Sequence, residues 1–499
     1  MIERLGHSRR QVLHYGLSAC GIVLLAGLLA YLPLTYAVAL VGASIAAVLA
    51  LIHPSWAVVW AILSVPIQDL VRLPGGLTVT QITMLLAVGS WMLYTLARPQ
   101  ELVRWGPLGL PLLAVSAAMA LSTLATPYSA SDGLKEILRW LWVAMAYLIV
   151  LNTVRTSQQS ALILLALCIA PALVAVYGLW QFVTASGPPS FGVAGGRFVR
   201  AYGTIGQPNS FAGYMNMAWS LCLVLGLSFF WRSWHRGLPF GRFVPLVAAG
   251  AAGLTLAALA ASFSRGGWIG AVGGVLALGA AWLFTGYDPR QRRALLERML
   301  GAALLGGLLL VVLVMLYNTG ALPASVANRL DSIFTNLRLF DVRTVDVTPA
   351  NFSVVERMAQ MQAGWGMFNS NPLVGIGPGN YSNAYSDFYI PPWSISQGHA
   401  HNYYLHSAAE GGLLGLLAYL FLLGMLIRLC LQALRRAEQP WERLVALGAC
   451  GMMGAVMTHN LFENLHVLNL PIHMGAIWGL LAWIGRDRTL EAGDKQGLA

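Results

Sequence analysis

The stretch QSALILLALCIAPALVAVYGLWQFV, residues 159–183, contains no charged residue. An apolar run of this length crosses the roughly 30 Å hydrocarbon core of a bilayer as one helix. Similar runs recur from Val12 to Ile484. Over the 499 residues, hydrophobic residues make up 57% and charged residues only 10%, far below the roughly 25% charge of soluble domains. The sequence therefore predicts an all-α, polytopic integral membrane bundle.

The apolar runs predict about twelve transmembrane helices, or fourteen, depending on how residues 13–66 cross the membrane. The first run follows the basic residues Arg4, Arg9 and Arg10 without a small-residue cleavage site, so we expect a retained helix. All five cysteines fall inside apolar runs, and no disulfide framework is expected. The candidate spans are 13–31, 34–52, 54–66, 79–97, 107–125, 135–153, 159–183, 209–231, 244–263, 266–286, 296–317, 402–427, 441–459 and 466–485.

The arginines of the short loops predict the orientation in the membrane. The net charge of +11 is carried almost entirely by arginine rather than lysine, and basic loops stay on the cytoplasmic side. Because these loops fall on one side of the alternating spans, we expect both termini in the cytoplasm. Three polar segments then lie outside: 184–208, the turn at Ser264–Arg265, and 318–401. The loop arginines are Arg98, Arg104, Arg155, Arg232, Arg236, Arg242, Arg290, Arg292, Arg293, Arg298, Arg428, Arg435 and Arg436.

The longest outer segment lies between the fourth-last and third-last spans. It exceeds an ordinary connection, so we expect a loop domain over the mouth of the bundle. Within it, residues 354–368 predict an amphipathic helix, whereas 371–393 are rich in Gly, Pro and Asn and indicate a loop. The predicted parts are a transmembrane bundle, this loop domain, the C-terminal transmembrane helices and a cytoplasmic tail: 1–317, 318–401, 402–486 and 487–499.

Arginines on the outer side contradict the usual charge bias and suggest an anionic ligand. A guanidinium matches phosphate oxygens with a rigid fork of donors and keeps its charge when partly desolvated. Arg265 is the most informative, because it interrupts two apolar runs at the membrane interface; snorkelling toward lipid phosphate is the alternative. The outer arginines are Arg197, Arg200, Arg265, Arg329, Arg338, Arg343 and Arg357.

Residues 195–215 contain a second anion-binding candidate. Pro208 opens a helix that Asn209 or Ser210 could cap, so that free amide groups face outward close to Arg200. A capped helix beside a solvated arginine is an equally good interpretation. The glycine-rich segment 375–379 lacks an evident preceding strand and the Walker lysine, which argues against nucleotide binding.

The segment GHAHNYYLHSAAEGGLLG, residues 398–415, supplies a candidate general base. A histidine with an ordinary pKa of about 6.5 accepts a proton near neutral pH. His401 and Asn402 lie at the expected helix start, and Asn402, His406 and Glu410 share one face of that helix. Glu410 lies far inside an apolar run, so it is either a ligand of the substrate or a group that ties the helix to a neighbour.

A metal site formed by His399, His401, His406 and Glu410 is the alternative interpretation of this segment. The spacing does not match a His-Glu-x-x-His pattern, and the chain contains no Asp-x-Asp pair for a divalent ion. We therefore expect chemistry without a metal or a cofactor. A second polar group near the last two helices is expected to form hydrogen-bonded packing contacts: His459, Asn460, Glu463, His466 and His473.

Taken in order, four motifs resemble the O-antigen ligase superfamily, which includes O-antigen polymerases and protein O-oligosaccharyltransferases. The resemblance covers roughly residues 130–480. The motifs are Arg200, Gly203, Pro208 and Asn209; the turn Ser264–Gly266; Arg357 followed by NPLVGIGPGNY (371–381); and His401–Gly415 with its His-Asn-x-x-Leu and Glu-x-Gly-x-x-Gly patterns.

The resemblance implies transfer of a glycan from undecaprenyl pyrophosphate to lipid A-core at the periplasmic face of a Gram-negative inner membrane. The essential arginines of the family map to Arg200 and Arg265, and its essential histidine maps to His401. The expected partners are this donor, this acceptor and membrane lipids, with no nucleic acid. We assign substrate binding to neighbouring polar side chains: Arg197, Arg357, Asn402, Asn209, Glu410, His399 and Tyr381.

Other functions remain open at the level of sequence. A polymerase or a protein O-oligosaccharyltransferase would share the donor and the topology and differ only in the acceptor. A secondary transporter of an anionic solute would place its binding groups near the bilayer midplane and often has internal repeats, whereas these polar groups cluster on one face.

Overall fold

The computed structural model describes residues 34–70, 77–230, 236–284, 340–348 and 351–486, with isolated positions between 297 and 327. The described chain is mostly helical, with one short antiparallel hairpin of β1 (Gly192–Val193) and β2 (Phe198–Val199). Its helices are α1 Leu34–Ile52, α2 Pro54–Ser64, α3 Val79–Leu96, α4 Gly109–Ala125, α5 Ala130–Thr153, α6 Ser157–Thr184, α7 Pro208–Asn216, α8 Trp219–Leu227, α9 Phe243–Ala261, α10 Arg265–Phe284, α11 Phe352–Ser370, α12 Tyr381–Phe388, α13 Tyr403–Arg436, α14 Pro440–His459 and α15 Pro471–Ile484.

The apolar stretch 159–183 forms the long helix α6. Thr156 and Gln159 cap its start reciprocally, each side chain accepting a hydrogen bond from the backbone of the other. Six described helices are long and apolar enough to cross a membrane, which agrees with a multi-pass membrane protein. They are Val79–Leu96, Ser157–Thr184, Pro208–Phe230, Phe243–Ala261, Arg265–Leu283 and Tyr403–Arg436.

Several predicted segments differ from the structure or lie outside its described part. Spans 13–31 and 296–317, the tail 487–499, and Arg329 and Arg338 fall outside the described residues, so the total of about twelve spans stays a prediction. The predicted span 209–231 is interrupted at Met217–Ala218, and the last span begins at Pro471 rather than at 466.

The arginine-rich loops gather at one end of the bundle. Arg155 pairs with Glu101, Arg436 Nη1 donates to the carbonyl of Gly485 at 3.0 Å, and Gly237 lies beside Gln439. Helix α15 packs parallel to α5, which brings the C-terminal ends of both helices to this same end. These described basic loops therefore lie at one end of the bundle, and their side of the membrane stays a prediction.

Small residues let α10 pack along α14 more extensively than any other described pair of helices. A Cβ at Gly270 would lie 2.8 Å from Cβ of His459, and one at Gly274 would lie 2.9 Å from the carbonyl oxygen of Gly451. Such close approach of backbones is typical of helix association in membranes. It brings the Ser264–Arg265 turn against the C-terminal end of α14, opposite the arginine-rich loops.

Candidate functional site

Arg200 is held in a fixed orientation by two neighbouring segments. Its Nε donates to the carbonyl of Ser262 at 2.8 Å, and its Nη2 donates to Oδ1 of Asn209 at 3.0 Å. The same Oδ1 accepts the hydroxyl of Ser264 at 3.1 Å. Asn209 therefore joins the start of α7 to the turn before α10. The prediction that Asn209 or Ser210 caps α7 is wrong, because the helix starts at Pro208 after Gln207.

Arg265 is the first residue of α10, and its Nη2 donates to Oγ of Ser353 on α11 at 2.9 Å. The hydroxyl of Ser264 caps this helix by accepting the N–H of Gly267 at 3.2 Å. A positive side chain at the positive end of a helix dipole is unfavourable alone and favours a neighbouring anion. Arg200 thus contacts Ser262, three residues before Arg265, and two cations on one short segment suit an anionic ligand.

The histidine-rich segment converges on a carboxylate that is distant in sequence. Nε2 of His399 lies 2.8 Å from Oε1 of Glu463, and Nδ1 of His401 lies 3.6 Å from the same oxygen. The backbone N–H of His401 donates to Nδ1 of His399 at 3.1 Å. The Glu463 side chain is 4% exposed, so its charge depends on these two histidines rather than on water.

Burial lowers the pKa of His401 to about 4; Glu463 opposes this decrease, whereas His399 and Arg357 add to it. Burial raises the pKa of Glu463, but the charges and hydrogen bonds of His399 and His401 outweigh this effect and hold it well below its usual range. At neutral pH, His401 is therefore a neutral base beside an ionised carboxylate.

The segment from His459 to Glu463 joins the arginine and histidine parts of the site. A Cβ at Gly266, next to Arg265, would lie 3.2 Å from Nε2 of His459, and four residues later Glu463 contacts His401. Helix α11 bridges the same two parts, because Ser353 accepts from Arg265 and the charge of Arg357 acts on His401. The cationic turn and the candidate base therefore form one site.

Among the described residues, one group has the spacing that a metal ion needs. Ligand atoms of His399, His401 and Glu463 lie within 4.8 Å of one another, whereas the alternative metal site considered from the sequence combined the histidines with Glu410. Because Nδ1 of His399 accepts the N–H of His401, the ring proton is on Nε2, which donates to Glu463. Nε2 then has no lone pair for a metal, so this arrangement favours a hydrogen-bonded cluster.

Glu410 holds a loop, and this position disagrees with its predicted role as a substrate ligand. One carboxylate oxygen accepts the N–H of Gly379 and the other accepts the N–H of Tyr381, each at 2.9 Å. The Tyr381 side chain is 1% exposed and its hydroxyl donates to the carbonyl of Gln360 at 2.6 Å. Tyr381 therefore has no exposed ring for stacking on a sugar, and Glu410 ties α13 to the loop domain.

Three further residues singled out in the sequence have different surroundings in the structure. Asn402 caps α13 by accepting the N–H of Leu405 at 3.0 Å, which confirms the predicted helix start. Arg197 lies exposed at the tip of the β1–β2 hairpin, with its guanidinium over the ring of Phe198. Asn460 donates to Tyr419, so the predicted packing role of Asn460 is confirmed.

Two residues of the site are not evident from the sequence. The sequence predicts a packing role for Glu463 and indicates no role for Ser353. The only sequence signal for Glu463 was a carboxylate on the same outer end as the histidines. Ser353 carried no signal, because its contact with Arg265 joins residues far apart in the chain.

Residues 250–420 match the family model described as O-Antigen ligase. The match contains Arg265, α11, Glu410 and His401, whereas Arg200 and Glu463 lie outside it. No curated protein matches the chain. Members of the matched family are membrane glycosyl-transfer enzymes that act as ligases or polymerases. Together with the apolar helices and the clustered arginines and histidines, this match over part of the chain supports a relationship to the O-antigen ligase superfamily.

Proposed function

We propose that this protein is an O-antigen ligase that transfers polysaccharide from undecaprenyl pyrophosphate to lipid A-core oligosaccharide. In this proposal the site faces the periplasm of a Gram-negative inner membrane. The observation that supports it best is the joining of the Arg200–Arg265 turn to His401 through His459–Glu463 and α11. A fixed cationic site beside a neutral base matches a reaction with an anionic leaving group and a hydroxyl nucleophile.

In the proposed reaction, His401 removes the proton from a hydroxyl of the acceptor sugar. The hydroxyl oxygen forms a bond to the anomeric carbon of the donor while the bond from that carbon to the pyrophosphate oxygen breaks. Attack opposite the leaving group inverts the anomeric configuration. The proton taken by His401 leaves with the released pyrophosphate or with water, which restores the neutral base.

Arg200 and Arg265 stabilise the negative charge that develops on the pyrophosphate. Ser262 and Asn209 orient Arg200 in advance, and Ser353 orients Arg265, so little order is lost when the transition state forms. Guanidinium groups fixed in this way can perform the electrostatic work of a divalent ion, and we therefore propose a reaction without a metal.

A polymerase or a protein O-oligosaccharyltransferase remains the alternative within the family, since neither the arginines nor His401 identify the acceptor. A secondary transporter is less well supported, because the polar groups cluster at one end of the bundle. Transporters often bind solutes at broken helices, but the break at Met217–Ala218 does not favour this alternative. Its neighbour Asn216 contacts Gly267 and His459, which belong to the same end of the bundle.

Transfer by purified protein in detergent, with a chelator present and no ion gradient, tests the proposal. Defined undecaprenyl-pyrophosphate-linked polysaccharide is offered with lipid A-core, with a second donor molecule, or with an acceptor protein. We expect transfer to lipid A-core only. Elongation of the donor would indicate a polymerase, and transfer to protein would indicate a protein O-oligosaccharyltransferase. Activity that requires added metal would contradict the mechanism.

Two variants test the residue assignments in the same assay. His401→Ala should abolish transfer, with a loss of at least about 100-fold, because general-base catalysis contributes this much. Arg265→Lys should also reduce transfer strongly, because an ammonium cannot reproduce the forked donors. Arg343→Lys is the matched control, since Arg343 pairs with Asp341 on the exposed loop. Full activity of the His401 and Arg265 variants would contradict the assignment.

A further inference from the structure

Glu463 is a buried carboxylate that the proposed reaction does not yet use. It lies after the end of α14, and its side chain is 4% exposed. Oε1 contacts both histidines of the segment 399–401, at 2.8 Å from Nε2 of His399 and 3.6 Å from Nδ1 of His401. A buried charge is retained only where partners compensate its desolvation. The contacts of Glu463 therefore call for a functional explanation.

Hydrogen bonds define the protonated nitrogen of His399, and the position of the Glu463 carboxylate favours one tautomer of His401. Nδ1 of His399 accepts the N–H of His401, so Nε2 of His399 is protonated and donates to Glu463. Within the described part of the chain, Nδ1 of His401 is buried without a hydrogen-bond partner, and Oε1 of Glu463 lies 3.6 Å from it. A proton on this Nδ1 is attracted by Glu463, which leaves the lone pair on Nε2 of His401.

We propose that Glu463 is the positioning residue of the general base. Its carboxylate is held by His399 and faces Nδ1 of His401, so that Nε2 of His401 accepts the proton of the acceptor hydroxyl. The inference rests on the proposed function, because it needs His401 to be the base.

The proton balance assigns a distinct task to each group. During attack, Nε2 of His401 gains the hydroxyl proton and Nδ1 keeps its own, so the ring becomes a cation. Glu463 stays ionised, stabilises that cation and takes no proton. His399 holds the carboxylate in place through its Nε2–H. Afterwards Nε2 releases its proton to pyrophosphate or water, and the starting state returns.

The groups that face His401 come from three segments. Glu463 contributes a negative charge, while His399 and Arg357 disfavour the protonated ring. Removal of the Glu463 charge therefore makes His401 a weaker base and destabilises its cation. A residue with a purely structural role would not produce both effects.

Glu463→Gln provides the test, because the amide oxygen still accepts from His399 and only the charge is lost. We expect kcat for transfer to lipid A-core to fall about 100-fold, with the KM for donor and acceptor unchanged. The acid limb of kcat/KM, which we expect near pH 4 in the wild type because burial lowers the pKa of His401 to about 4, should move to lower pH. Glu463→Asp, which keeps the charge, should retain more activity than the Gln variant. Glu438→Gln, an exposed position beyond the opposite end of α14, is the matched control.

The outcomes separate this inference from the proposed function. If His401→Ala is inactive while Glu463→Gln has wild-type kcat and pH dependence, the inference is wrong and the base assignment stands. If Glu463→Gln loses activity with a lower melting temperature and an unmoved acid limb, its role is structural and the inference is wrong. If His401→Ala remains active, the proposed function fails and the positioning role fails with it.

Discussion

His401 occupies a backbone conformation that few non-glycine residues adopt. Its φ of 51° lies in the left-handed region, where strain costs about 1–3 kcal/mol. The neighbouring residues maintain it: the His401 N–H donates to His399, and the N–H of Tyr403 donates to the carbonyl of Asn460 at 2.7 Å. This conformation brings both rings to Glu463, which a regular helix start would not do.

The low pKa of His401 predicts an unusual pH dependence of transfer. Because burial lowers it from about 6.5 to about 4, the ring is already neutral at pH 6 and remains a competent base there. We expect kcat/KM to be flat through pH 6.5 and to fall only as pH approaches 4, where the ring gains a proton. Initial rates across this range measure the effect, with melting temperature as the control. An acid limb centred near pH 6.5 would contradict the buried position of His401.

At the level of elements, α13 is broken to receive a loop. Gly412 has a φ of 63°, and the freed N–H groups of Leu413 and Leu414 donate to the carbonyls of Pro372 and Leu373. Glu410 binds the next part of the loop through Gly379 and Tyr381. The glycine-rich segment 375–379 therefore docks the loop domain on α13, which positions α11 over the site.

Substitution of Gly412 should separate the loop from α13. A Cβ there would lie 2.3 Å from the backbone of Leu373, and its positive φ adds strain. Gly412→Ala should therefore lower the melting temperature in detergent and reduce transfer, by an overpacking cost of about 1–3 kcal/mol or more. Gly411→Ala is the control, because a Cβ at Gly411 meets nothing within 4 Å. Equal stability of the two variants would exclude this docking role.

For the whole molecule, the two ends of the bundle carry different chemistry. One end holds the described arginine-rich loops, and the other holds the Ser264–Arg265 turn, the histidine segment and the described part of the loop domain. A site at one end of the bundle suits the proposed lipid-linked donor, whose pyrophosphate would lie at the membrane surface.

The positive-inside rule predicts how these ends are oriented in the cell. Alkaline phosphatase fused after Thr344 should be active, because the rule predicts that the loop domain lies in the periplasm. The same enzyme fused after Arg436 should be inactive, and a fluorescent protein at the C-terminus should fluoresce. Expression levels of the fusions provide the control. The reverse pattern would place the site in the cytoplasm and contradict the use of a periplasmic donor.

Much of the fold followed from composition and local pattern. Runs such as 159–183 predict helices because a membrane leaves a backbone few other ways to satisfy its hydrogen bonds. The Ser264–Arg265 turn and the start of α13 at Asn402 also followed from short-range signals. The break at Gly412 did not, since the N–H groups of Leu413 and Leu414 donate to Pro372 and Leu373, which are distant in the chain. The break at Met217–Ala218 also did not follow from the sequence.

The sequence by itself determined a multi-pass helical protein with cations and histidines collected at one end, because length, hydropathy and charge act locally. Only the tertiary structure decided which of these groups meet. In the structure, Glu410 binds the backbone of Gly379 and Tyr381 in the loop domain, and Glu463 contacts His401 although two helices separate them in the chain. Long-range pairing depends on how helices pack, and here the small residues of α10 let α14 carry His459 and Glu463 into the site.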